Sequence, residues 1–184
     1  MNLSCSINPR KVSSLGLASI IACLVGMLPS KAATVNIPGF GSVLEERGPE
    51  DDFMIVIPGH YSRAEAISLT YDRRLIRRYG VTQLVPVGSL RRWDFLAGIL
   101  APRTGENQLW WTAGFYLSDQ FGWESTQFQT PPRRAIVRWV GGQPDRGPHG
   151  DEDCIVFYRM NNGQFGANDI SSRARGGVIL WRPR

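Results

Sequence analysis

The stretch that decides the fold runs from Trp139 to Ser172: WVGGQPDRGPHGDEDCIVFYRMNNGQFGANDISS. It holds Gln143-Pro144-Asp145, then Asp151-Glu152-Asp153-Cys154, then Asn168-Asp169. Oxygen-bearing side chains thus sit on both sides of an apolar strand, Ile155 to Tyr158, that brings them together. A hard cation such as Ca²⁺ takes roughly six to eight oxygens from carboxylates, amides and backbone carbonyls. Gln143, Asp145, Glu152, Asn168 and Asp169 supply most of such a shell. Their three carboxylates outweigh the charge of a divalent ion and repel one another without it. The same residue types are also ordinary turn formers on Gly/Pro-rich loops. They do not form an EF-hand loop, so spacing alone leaves both readings open.

Working outward, Phe53 to Ile57 reads as a first strand stopped by Pro58-Gly59. Ser62 and Glu65 form a capping box that opens a helix, with Ala64, Ile67, Tyr71 and Leu75 as its buried stripe and Gly80 as its stop. Leu84 to Val87 is a short extended piece. Ser89 starts a second helix whose Trp93, Leu96, Ala97 and Leu100 share a face. Gln108–Leu117, Ala135–Val140, Cys154–Tyr158 and Gly177–Trp181 are the remaining strands expected. Strand, two helices, then strands and loops describe an α+β domain over 53–184. Residues 34–52 hold Glu45, Glu46, Glu50, Asp51 and Asp52 and read as an acidic N-terminal tail.

The first 33 residues read as a signal peptide. Arg10 and Lys11 precede an apolar run from Leu15 to Leu28, and Ser30 to Ala33 supplies small residues for cleavage. The run is too short for a comfortable membrane span. A secreted, extracellular chain follows. Losing Arg10, Lys11 and Lys31 takes the net charge from +5 to +2, so basicity is no argument for a nucleic-acid partner. Cys5 and Cys23 leave with the leader. Cys154 remains alone, entering an apolar strand as a buried thiol does.

The ordered motifs resemble the C-type lectin domain, over about Phe53 to Trp181. Tyr61-Ser62-Arg63-Ala64 is similar to that family's first-helix start, and Trp110-Trp111-Thr112-Ala113-Gly114 to its central tryptophan motif. Trp123 and Trp139 stand where the family has tryptophans flanking its long loop. Gln143-Pro144-Asp145 matches the triplet associated with galactose-type ligands, Glu152-Asp153-Cys154 the start of the next strand, and Asn168-Asp169 the end of the Trp-Asn-Asp motif. The resemblance implies two helices flanking small antiparallel sheets, with a long loop region. It implies Ca²⁺ and glycan binding through Gln143, Asp145, Glu152, Asn168 and Asp169, with Pro144 cis. It also implies disulfides that this chain lacks: Ser172 stands where the partner of Cys154 is expected, and Ser68 lies near another cysteine position.

Catalysis is not expected. Ser, His and Asp are present without a nucleophile elbow, and His60 and His149 with one cysteine make no zinc site. The competing feature is arginine. Arg73, Arg74, Arg77 and Arg78, then Arg91 and Arg92, then Arg133, Arg134 and Arg138 form three clusters whose forks suit sulfated or acidic glycans. They support the alternative of a calcium-independent adhesin for proteins or polyanionic glycans.

Overall fold

Val35, Ile37, Val43 and Leu44 give residues 34–52 an apolar pattern that their acids mask. In the computed structural model, which describes residues 33–119, 122–125 and 133–183, this segment is a hairpin. β1 (Ala33–Ile37) pairs antiparallel with β2 (Gly41–Arg47), and β2 with β3 (Phe53–Tyr61). The expected tail is therefore corrected: 34–52 joins the same compact unit as the rest. Its acids are engaged rather than solvated. Glu45 accepts from Arg78 and Tyr79, Asp51 pairs with Arg47, and Glu50 and Asp52 both hold Arg92. The expected signal peptide lies outside the described residues, apart from Ala33.

The single helix expected from Ser62 to Gly80 is two, α1 (Arg63–Leu69) and α2 (Arg73–Tyr79). Ser62 and Glu65 do form the capping box. The break comes from side chains that compete for the backbone. The Thr70 hydroxyl donates back to Ile67 O at 2.7 Å, and Asp72 accepts from the N–H groups of Arg74 and Leu75, capping a new helix. Tyr71, assigned to the buried stripe, is 70% exposed in this break. Gly80 ends α2 at φ +76°, a conformation that glycine adopts freely.

β4 (Gln83–Leu84) leads to α3 (Leu90–Leu100), capped by Ser89 as expected, and a 3₁₀ turn at Ala101–Arg103. β5 (Leu109–Ser118), β6 (Gly122–Glu124), β7 (Glu152–Arg159), β8 (Phe165–Ser171) and β9 (Gly176–Arg182) complete the chain. Ala135–Val140 is not a strand; among the described residues its neighbourhood forms isolated bridges to the sheet at Glu124–Arg134 and Trp139–Ala167. Among the described residues the strands form one sheet, in the order β1-β2-β3-β9-β5-β7-β8. β4 joins β9 and β6 joins β5 off this path, and β5–β9 is a parallel pair.

Alternation along β3 and β9 sends side chains to both faces, so each face carries a core. Ile55, Ile57, Val178 and Leu180 meet Ala66 and Leu75 of the first two helices on one face. Met54, Val56 and Ile179 meet Trp93, Leu96 and Leu100 of α3 on the other, where Trp93 stacks on Phe157 with centroids 3.7 Å apart. Gly114 closes the central tryptophan motif because a Cβ there would lie 2.7 Å from Val87 and 2.8 Å from Ile155. No helix among the described residues is long and apolar enough to cross a membrane.

Cys154 is a free, buried thiol beside Ser172 and Arg63. Arg63 is 5% exposed and spreads its guanidinium over the carbonyls of Thr112, Ala113 and Gly114, tying α1 to β5 without a covalent bridge. Burial pushes the Cys154 thiol up to about 12. A neutral-pH thiol reagent should therefore leave the folded chain unlabelled and modify Cys154 fully only in denaturant. Mass spectrometry of the alkylated protein reads this directly, and rapid labelling of the native chain would contradict it.

Candidate cation and ligand site

β7 and β8 pair antiparallel, so Glu152 faces Ser171 and Ile155 faces Asp169. β8 ends the sheet, and its outer edge is met by Arg138–Val140. Ala167 N donates to Arg138 O at 2.8 Å, and Val140 N to Ala167 O at 2.9 Å. Just beyond, Gly142 at φ +88° and a Gln143 N–Val140 O bond of 3.1 Å turn the chain. Residues 143–147 are thereby laid against Asp169. Asn168 and Asp169 lie on β8, whose pairing with β7 holds them without the missing bridge.

The loop is organised around carboxylates. Asp169 accepts from Asp145 N at 3.3 Å and Arg146 N at 2.5 Å, and Asp145 accepts from Gly147 N at 2.9 Å. The Gln143–Pro144 bond is cis. The Gln143 amide donates to Asp145 at 3.4 Å while its carbonyl accepts from Asp145 N at 3.1 Å. Gly147, at φ +63°, lets the loop close on Glu152; a Cβ there would fall 2.9 Å from that side chain.

One carboxylate oxygen each from Asp145, Glu152 and Asp169 lie within 4.8 Å of one another. Gln143 adjoins Asp145. Asn168 stands next to Asp169, its Oδ1 sealed from solvent with no hydrogen-bond partner. Burial raises the Glu152 carboxyl above its ordinary value, and the neighbouring Asp169, Asp145 and Asp151 add to the shift. Burial likewise raises Asp169, against the backbone N–H groups that favour its charge. Among the described residues none of the three has an ion-pair partner. Three carboxylates without an ion-pair partner among the described residues, with the Gln143 amide bonded to one of them, form a donor set that fits a hard cation.

Arg146 was missed in the sequence. Its backbone, at φ +60°, gives the N–H that holds Asp169. Its guanidinium turns away to lie 3.9 Å over the Tyr116 ring and to donate to Gly150 O at 3.2 Å. Tyr116 and its partner Asp119 likewise border this loop. A positive φ at an arginine and a contact to β5 leave no trace in residue order. His149 is exposed on the same loop, and His60 is exposed near the far end of β3.

The arginine clusters are partly neutralised. Arg74 pairs with Asp72, Arg78 with Glu45, Arg138 with Asp94, and Arg92 is buried against Glu50 and Asp52. Arg73 and Arg77 stay exposed on α2, without an ion pair among the described residues.

No family model matches the sequence, and no curated protein matches it. Solved structures do. The chain is similar to the Ca²⁺-independent C-type lectin SPL-2 from Saxidomus purpuratus, with a TM-score of 0.58 and 16% identity over 75% of this chain and 90% of that one. It is similar to the C-type lectin CEL-I from Cucumaria echinata, with a TM-score of 0.54 and 18% identity over 71% and 89%. The mouse scavenger receptor C-type lectin carbohydrate-recognition domain gives 0.54 and 16% over 76% and 95%. With its two-faced sheet, its helices and the 143–169 cluster in that order, this chain folds as a C-type lectin-like domain.

Proposed function

We propose that the chain is a secreted, non-enzymatic, calcium-dependent carbohydrate-binding protein. The observation that carries this reading is the convergence of Asp145, Glu152 and Asp169, which have no ion-pair partner among the described residues. Gln143, Asp145, Glu152, Asn168 and Asp169 would hold Ca²⁺, which when bound offers open coordination to two vicinal sugar hydroxyls. The side chains set the polarity of capture. Gln143 brings amide donors, and Asp145 and Glu152 bring only acceptors, so a sugar is read by which hydroxyl donates and which accepts. The Gln-Pro-Asp order favours the galactose-type arrangement. A shallow site of this kind binds a single sugar weakly and gains strength through multivalency. Secretion rests on the leader read in residues 1–33.

A second reading keeps the fold but dispenses with the ion. SPL-2 is described as Ca²⁺-independent, and Arg73 and Arg77 leave α2 a small cationic face for sulfated or acidic glycans. Affinity chromatography separates the two. Retention on galactose resin that is lost with a chelator, and weaker on mannose resin, is the expected result. Salt-sensitive heparin retention that survives chelation and disappears in Arg73→Ala with Arg77→Ala would replace it with the second reading.

A further inference from the structure

At the end of the sheet away from the acidic cluster lies a cleft of about 520 Å³. It opens at the start of β5, whose Leu109 pairs with Tyr158, whereas Glu152 lies six residues further along β7, roughly 20 Å away at strand rise. The floor is apolar: Leu44, Val56 and the ring of Trp110, all buried at their backs. Gly177 lets the Trp110 ring lie against β9, because a Cβ there would fall 2.3 Å from it. The rim is basic and polar, with Arg103, Arg175 and His60 exposed around it and no Asp or Glu among its lining residues. Arg103 forms no ion pair among the described residues. Its Nη1 donates to Ile99 O at 2.6 Å, which leaves its other N–H groups uncommitted. Arg175 shares its charge with Glu65 at 3.1 Å and His60 O at 2.8 Å.

We propose that this cleft is a second binding site, for a small organic anion with a flat apolar body. Volume, floor and rim each select that occupant. The space matches a drug-sized ligand. The exposed part of an indole and two aliphatic side chains reward a flat apolar face with removal from water. The Arg103 guanidinium, without an ion pair among the described residues, and Arg175, which shares its charge with Glu65, suit a carboxylate, sulfonate or sulfate at the mouth. A neutral sugar leaves the charge of Arg103 unmatched. The site needs none of the residues assigned to calcium and stands or falls independently of them.

The probe is 8-anilinonaphthalene-1-sulfonate, titrated by fluorescence and by native mass spectrometry into the chain, with circular dichroism confirming the fold at saturation. One probe per chain is expected, unchanged by chelator. Binding should weaken roughly tenfold in Arg103→Gln or Arg175→Gln, through loss of a charge-assisted bond, and vanish in Ser42→Trp, which fills the cleft from β2. Neutral N-phenyl-1-naphthylamine should bind more weakly by a similar factor. Absence of saturable binding, several equivalent sites, or loss on chelation would overturn the proposal. So would equal affinity in the arginine variants or for the neutral probe.

Discussion

Replacing Asp52 with alanine should cost the fold about 3–5 kcal/mol, the range for stripping one partner from a buried ion pair. Asp52 is 3% exposed and joins three elements. Its Oδ2 accepts from Arg92 Nε of α3 at 2.8 Å and from Trp181 Nε1 of β9 at 2.6 Å. The Arg92 guanidinium also lies 5.0 Å over the Trp181 ring. Removing the carboxylate leaves a buried guanidinium with only the half-exposed Glu50 to neutralise it. The loss should therefore exceed that of Glu50→Ala, whose carboxylate keeps a larger share of its hydration. Urea denaturation of both variants measures this. A loss below about 1 kcal/mol for Asp52→Ala would mean that the 34–52 segment is dispensable to the domain.

Glu152→Gln should act with opposite signs on stability and on metal affinity. The folded Glu152 carboxyl is raised by burial and by its acidic neighbours. Stability from a raised carboxyl is fully present below the ordinary carboxylate value and lost as pH rises through the folded one. At pH 7 without an ion, the ionised group therefore opposes folding, and its amide isostere does not. The calcium-free variant should be more stable than the parent at neutral pH. That advantage should shrink as acidification into the ordinary carboxylate range protonates the parent. The same change removes a charged ligand. Calcium affinity should fall by at least the roughly 10–100-fold that the loss of a supporting hydrogen bond costs a metal site. Thermal unfolding in chelator and in calcium, across pH, reads both effects. Destabilisation of the chelated variant at pH 7 would show that the carboxylate is not repelled where it stands.

Local chemistry was legible in the sequence wherever it acted over a few residues. The Ser62–Glu65 capping box, the Ser89 cap, the Gly80 stop and the β5, β7 and β9 strands all follow from neighbours in the chain. The hairpin of 34–52 was hidden because its acids find their partners far away. Glu45 waits for α2, and Glu50 and Asp52 for α3, so the segment reads as solvated until the fold supplies arginines. The helix break at Thr70–Asp72 was lost to an apolar periodicity that continued through Tyr71. Gln143, Asp145, Glu152, Asn168 and Asp169 were visible as oxygen-bearing types in order, and the approach of Asp145, Glu152 and Asp169 was expected. The means was not legible, because it depends on the outer edge of β8 receiving Arg138–Val140 and on the conformation of Arg146.

Calorimetric titration of Ca²⁺ into the chain, in parallel with Asp145→Asn and Asp169→Asn, addresses the site most directly. One ion per chain, with affinity lost in both variants while their circular dichroism stays that of the parent, is the expected result. No heat of binding in the parent, or the same affinity in all three proteins, would contradict a cation site among residues 143–169.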